Sequence, residues 1–198
     1  MNRFLTTCFI LFALVLLAPV VILTAFLVYF MLGKPIIFCQ LRPGMYGVPF
    51  KLYKFRSMTD DRDHSGELLP DSMRLNSFGK FLRSTSMDEL PSFINILKGE
   101  MALVGPRPLL MEYMELYTPE QARRHTVLPG LTGWSQVNGR NNLSWEQKFK
   151  MDCWYVDNKS LMLDLRIVGL TALKVISRKN INAPGEASMS KFTGSESE

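Results

Sequence analysis

The 198-residue chain is 47% hydrophobic and carries 23 Lys+Arg against 18 Asp+Glu, so it is long enough for one domain with an appendage and apolar enough to fill a core. Its three cysteines, Cys8, Cys39 and Cys153, are too few and too scattered for a disulfide framework or a zinc site, and a reducing, cytoplasmic setting fits them best. Phe4 to Leu32 carries no charge, which leaves the remainder markedly basic and points to anionic partners: phospholipid head groups, phosphorylated substrates or nucleic acid.

As a helix, residues 4–32 would extend about 43 Å against a hydrocarbon core of roughly 30 Å, enough for a tilted crossing. The run is too long for a cleaved signal peptide and no small-x-small cleavage pattern ends it. Ala18-Pro19 interrupts it near the middle, where proline removes a backbone hydrogen bond and crowds the carbonyl of Val15. Basic residues flank both ends, Arg3 on one side and Lys34 and Arg42 on the other. A hairpin that dips into the bilayer and returns satisfies them, and so does a kinked through-helix.

Pro35 to Gln40 and the alternating Phe50 to Phe55, joined by the turn-rich Arg42-Pro43-Gly44-Met45-Tyr46-Gly47, predict a small β-hairpin. A spacing of two puts Lys54 and Arg56 on one strand face, which suits a polyanion and equally a solvated sheet edge. Thr59 to Asp71, including Asp60, Asp61, Asp63 and His64, reads as a solvated charged loop without metal-ligand spacing. Met73 to Arg83 returns to helical spacing and brings Arg83 within five positions of Asp88-Glu89. Pro91 fits only the first turn of a helix, which predicts Asp88 as its N-cap, Glu89 as its first residue and Gly99 as its end. Taken alone this is an ordinary helix start. Beside an arginine it could also hold a phosphate next to an attacking carboxylate.

Met101 to Val104 predicts a buried strand, and Pro106 and Pro108 stiffen the backbone around Arg107. Leu109 to Tyr117 predicts a helix, and Thr118-Pro119 starts another. Pro129 to Asn142 reads as a long glycine-rich loop of functional type. Ser144 to Gln147 forms a capping box for a helix to about Asn158. Leu161 to Arg178 is amphipathic, with a basic end at Lys174, Arg178 and Lys179, and a polar tail follows, predicted to be disordered.

Together these segments resemble the bacterial sugar transferases, or monotopic phosphoglycosyl transferases. The resemblance rests on the apolar segment broken at proline and on Lys54-Phe55-Arg56-Ser57-Met58. It extends through Phe81-Leu82-Arg83, Asp88-Glu89-Leu90-Pro91, Gly99-Glu100-Met101 and Val104-Gly105-Pro106-Arg107-Pro108 to Pro129-Gly130-Leu131-Thr132-Gly133-Trp134 and Asn138-Gly139-Arg140. It implies the small single-domain form, an α+β and mostly helical protein. Residues 1–33 would be a re-entrant helix-break-helix with its break at Pro19. Residues 34–181 would be the membrane-associated catalytic domain, with a short β-hairpin and amphipathic interfacial helices, and residues 182–198 a disordered tail.

The resemblance further implies transfer of a sugar-1-phosphate from a UDP-sugar to a polyprenol phosphate at the cytoplasmic face of the bacterial inner membrane. UMP would be released and a glycan initiated, with Mg2+ as cofactor. Asp88 would be the nucleophile of a covalent phosphosugar intermediate and a metal ligand, and Glu89 its partner in proton or metal handling. Lys54, Arg83, Arg107 and Arg140 would bind phosphate or nucleotide, and Arg56 joins this set by its place beside Lys54 on the strand. This chain has Ala18 where the family usually has serine before the proline. A membrane glycosyltransferase releasing UDP and a non-enzymatic anion-binding module are the alternatives. No nucleic-acid motif is present, and a homodimer is left open.

Overall fold

The computed structural model describes residues 3–139, 143–177 and 191–194. It is mostly helical α+β, with one apolar N-terminal helix and two small two-stranded sheets. Helix α1 (Arg3–Leu32) is continuous, with Pro19 inside it, and its Leu14–Leu32 part is long and apolar enough to cross a membrane. The helix-break-helix expected at Pro19 therefore takes the form of one uninterrupted element. Thr24, four residues beyond Val20, returns its hydroxyl to that carbonyl at 2.7 Å, so a polar side chain in the apolar run is satisfied locally.

The predicted hairpin forms from antiparallel strands β1 (Ile37–Pro43) and β2 (Pro49–Phe55), paired from Ile37 with Phe55 to Pro43 with Pro49. Its tip is made by Tyr46 and Gly47, both at positive φ. Strand alternation turns Phe50 and Leu52 inward against Ile10 and Leu14 of α1 and against Phe93, Ile96 and Leu97. Phe55, on the opposite face, joins Val28 and Leu32 of α1 with Leu82, Met87 and Leu90. Both the early and the late part of α1 thus rest on the same globular body.

Helices α2 (Asp71–Arg74) and α3 (Ser77–Ser84) divide the segment predicted as a single helix, because Asn76 caps α3 by accepting the Gly79 amide at 2.9 Å. Helix α4 (Phe93–Lys98) ends at Gly99, whose φ of 78° suits a residue without Cβ. Strand β3 (Ala102–Val104) pairs in parallel with β4 (Gly130–Thr132). A Cβ on Gly130 would stand 2.1 Å from the Gly105 amide nitrogen, so the two loops approach only because both are glycine.

Helix α5 (Pro119–Ala122) has the capping box of Thr118 with Gln121, and α7 (Trp145–Asn158) that of Ser144 with Gln147, the second as the sequence predicts. Helix α8 (Leu161–Ser177) covers the predicted amphipathic stretch, with Arg178 and Lys179 outside the described residues. Two further expectations fail here. Leu109 to Tyr117 yields only the 3₁₀ turn Met111–Glu115, and the supposed loop after Pro129 contains β4 and α6 (Trp134–Asn138). The tail expected to be disordered is described at residues 191–194, where Phe192 is buried among Tyr113, Tyr117, Trp145 and Phe149 with ring centroids 5.0–6.0 Å away.

Candidate active site

The carboxylate pair lies between α3 and α4. Ser86 reverses the chain in the left-handed region (φ 56°) and opens the 3₁₀ turn Met87–Ser92, which contains Asp88, Glu89 and Pro91. Asp88 is therefore inside the turn and not at its cap, contrary to the sequence expectation. Helix α4 has only six residues and starts at Phe93, so its dipole is a minor source of positive potential. Side chains supply it instead.

The turn is fastened to the free edge of β2 by two polar residues with no exposure, Ser92 and Asn95. Ser92 Oγ donates to the Tyr53 carbonyl at 2.7 Å, and Asn95 Oδ1 accepts the Tyr53 amide at 3.1 Å. Asn95 Nδ2 donates to the Lys51 carbonyl at 2.7 Å and to Glu100 Oε2 at 2.6 Å. These side chains stand in for a third strand, and they align β2 so that Lys54 faces Glu89. Asn95 is a lone amide within Phe93-Ile94-Asn95-Ile96-Leu97, and a polar residue in so apolar a run was the signal available in the sequence.

Glu89 is gripped from two elements. Its Oε1 accepts from Lys54 Nζ at 2.7 Å and from Arg107 Nη2 at 2.8 Å, and Arg107 comes from the proline-flanked loop after β3. Burial alone would raise the Glu89 pKa, but the Arg107 and Lys54 charges outweigh it and hold the carboxyl well below the usual range. Asp88 is treated oppositely. It is 8% exposed and, among the described residues, its carboxylate accepts no hydrogen bond. Burial, reinforced by the Glu89 charge, pushes its pKa up to about 6 against the pull of Lys54, Arg107 and Arg83. One carboxylate is fixed and ionised, and the other is buried and uncommitted.

Arg83 lies on the Asp88 side. Its Nε donates to Ser57 Oγ at 3.0 Å, and the Asp88 charge supports its ionised form against burial. Beside Glu89 is a cavity of about 70 Å³ lined by Lys54, Arg107, Arg42 and Ser92 with Leu109 and Leu131. Arg42 was not among the residues expected here. The structure thus brings Lys54, Arg83 and Arg107 around the pair.

Arg56 does not join them. Its backbone stays paired, the Arg56 amide donating to the Ile36 carbonyl at 2.9 Å, but other carbonyls claim its side chain. The Arg56 guanidinium turns inward to the Met58 carbonyl at 2.9 Å, the Lys34 carbonyl at 2.6 Å and Asp60 at 2.9 Å. All three of its nitrogens are committed to joining α1's exit to the loop after β2. Arg140 lies outside the described residues.

Residues 1–178 match the sequence profile of the bacterial sugar transferases. The chain belongs to this family. It is 53% identical over 176 residues to an uncharacterized sugar transferase, EpsL, of Bacillus subtilis, covering 89% of this chain and 87% of that one. It is 39% identical over 177 residues to a UDP-glucose:undecaprenyl-phosphate glucose-1-phosphate transferase of Klebsiella pneumoniae, covering 84% of this chain but 38% of that protein. It is 37% identical over 173 residues to the exopolysaccharide production protein ExoY of Sinorhizobium fredii, covering 79% of this chain and 76% of that one. The match to this sugar transferase family takes in α1, the hairpin, the carboxylate turn and the arginine loop together.

Proposed function

We propose that this sugar transferase moves a sugar-1-phosphate from a UDP-sugar to a polyprenol phosphate, releasing UMP, through a covalent phosphosugar–Asp88 intermediate. The observation that carries the reading is the buried Asp88, without a hydrogen bond among the described residues, beside Arg83 and beside a Glu89 held ionised by Lys54 and Arg107. An oxygen of Asp88 attacks the phosphorus that bears the sugar, and the bond to the UMP oxygen breaks, its electron pair leaving with UMP. A phosphate oxygen of the polyprenol phosphate then attacks the same phosphorus and displaces Asp88 as a carboxylate. Two displacements let donors and acceptors of very different polarity use one site in turn.

With its pKa near 6, Asp88 is ionised and weakly solvated at neutral pH, which suits a nucleophile. Glu89 is ionised throughout and so is no proton donor. It holds Lys54 and Arg107 in place for the charge that develops on the diphosphate. Hard oxygen donors fit Mg2+, which is usually held by one or two carboxylates and substrate phosphates. Asp88 and Oε2 of Glu89, which has no hydrogen bond among the described residues, would hold it, and it would neutralise diphosphate charge. The test is the nucleotide product with UDP-glucose, UDP-galactose and other UDP-sugars: UMP supports this reading, and UDP would establish a conventional glycosyltransferase.

The same reading places the chain on the cytoplasmic face of the membrane, with α1 re-entrant. Packing supports it. Straight, α1 would separate Ile10 from Leu32 by about 33 Å, yet both pack on the body that contains β2, where Phe50 and Phe55 are about 17 Å apart. Pro19 lies inside the helix between these two contacts, where a proline permits a bend. Asn2→Cys or Lys34→Cys, in a background lacking Cys8, Cys39 and Cys153, should each resist an impermeant thiol reagent until cells are lysed. Labelling of residue 2 alone in intact cells would establish a through-helix.

A further inference from the structure

The backbone carbonyl of Arg107 accepts a hydrogen bond from a second arginine, which is fully buried. Arg124 is 2% exposed and follows α5 in the 3₁₀ turn Arg123–Thr126, while its partner Asp152 is also 2% exposed and lies on α7. Arg124 Nε and Nη2 donate to Asp152 Oδ2 at 3.1 and 2.8 Å. Nη2 donates as well to the backbone carbonyl of Arg107 at 2.7 Å, and Nη1 to Tyr117 Oη at 3.3 Å. The other Asp152 oxygen accepts from Ser135 Oγ, on α6, at 2.7 Å. The rings of Tyr117 and Phe149 lie 5.8 and 5.7 Å from the guanidinium. Among the described residues, this pair meets those that would contact substrate only through the Arg107 carbonyl.

A buried ion pair is seldom a source of stability, since apolar residues of the same volume often do as well or better. What an apolar pair could not do here is donate to the Arg107 carbonyl. Pro106 and Pro108 restrict the loop's own dihedrals but do not say where it sits relative to Glu89, 18 positions away in sequence. The bond from Arg124 does, because Asp152 and Ser135 fix Arg124 to α6 and α7. We propose that the Arg124–Asp152 pair, oriented by Ser135, positions Arg107 so that its guanidinium meets Glu89 and the donor phosphate. The proposal rests on the role given to Arg107 above.

The test is a double-mutant cycle in the full-length enzyme, following UMP release as kcat and KM separately. Asp152→Asn should lower kcat/KM for the UDP-sugar by about tenfold to a hundredfold, within the range of couplings between linked residues. The loss should fall mainly on KM, whereas a defect confined to folding reduces the active fraction and so kcat alone. In an Arg107→Ala background the same change should cost less than about threefold, because the group it positions is gone. Equal factors in both backgrounds would overturn the proposal. If Asp152→Asn does not fold, Ser135→Ala keeps the ion pair and frees one Asp152 oxygen. It should raise KM only when Arg107 is present, and an unchanged KM there would also overturn the proposal. Should Arg107→Ala itself leave UMP release unaltered, the failure lies with the role of Arg107 and not with its positioning.

Discussion

Replacing Glu89 by glutamine removes one charge from the centre of the site while keeping its shape. In the native protein the Glu89 charge is the second cause, after burial, of the raised pKa of Asp88. Like charges on neighbouring carboxylates, at an effective dielectric constant of about 20, repel on the order of 2 kcal/mol, or about 1.5 pH units. Glu89 keeps 17% side-chain exposure, so water screens part of this and a shift of about one unit is expected. Lys54 and Arg107, released from Oε1, then pull Asp88 further in the same direction. The sign follows: wild-type kcat/KM should fall as pH drops through about 6, where Asp88 takes up its proton, and the acid limb of Glu89→Gln should lie near pH 5. The maximal rate should drop by about a hundredfold, because the cations lose their common anchor. The assay is UMP release at UDP-sugar concentrations from well below KM to saturation, between about pH 4.5 and 8, so that kcat/KM and the maximal rate are read separately. An acid limb that stays at 6 or moves upward would refute the electrostatic account of the pair.

Two further changes separate chemistry from architecture. A folded carboxyl pKa of about 6 against an ordinary 3.8 means that ionising Asp88 costs stability as pH rises through that window. Asp88→Asn should therefore be inactive yet more stable at pH 8 by about 1–3 kcal/mol, a gain that vanishes near pH 4; a lower Tm at pH 8 would contradict this. Arg56→Ala should cost about 2–3 kcal/mol of stability, through its lost bonds to the Lys34 and Met58 carbonyls and to Asp60, while changing KM for the UDP-sugar less than about threefold. A large rise in KM at unchanged Tm would return Arg56 to the site.

Much of the site was legible because its parts are local in sequence. Asp88 and Glu89 are adjacent, Arg83 precedes them by one short segment, and the two prolines around Arg107 announce a stiff loop. Hairpin alternation and the capping box at Ser144 are likewise local signals. What sequence did not reveal depends on long-range pairing. Asn95 is recognisable as a β2 clamp only once Lys51 and Tyr53 are beside it, 44 and 42 positions away. Arg124 finds Asp152 at a separation of 28, and Phe192 reaches Tyr113 across 79. Arg56 misled because a period-two argument gives a side chain's face and not its partners, and the Lys34 and Met58 carbonyls and Asp60 claim this one. Asp88 misled because a capping motif describes an α-helix, whereas Ser86 at positive φ starts a 3₁₀ turn instead.

The most direct test of the central claim is to look for the covalent intermediate. Enzyme incubated with a UDP-sugar in the absence of polyprenol phosphate, then quenched in acid, should gain the mass of one sugar phosphate, and peptide mapping should locate it on Asp88. Release of UMP should match the adduct in amount, and adding polyprenol phosphate before the quench should remove it. An unmodified Asp88 in enzyme that turns over fully once the acceptor is added, or an adduct on any other residue, would contradict the account.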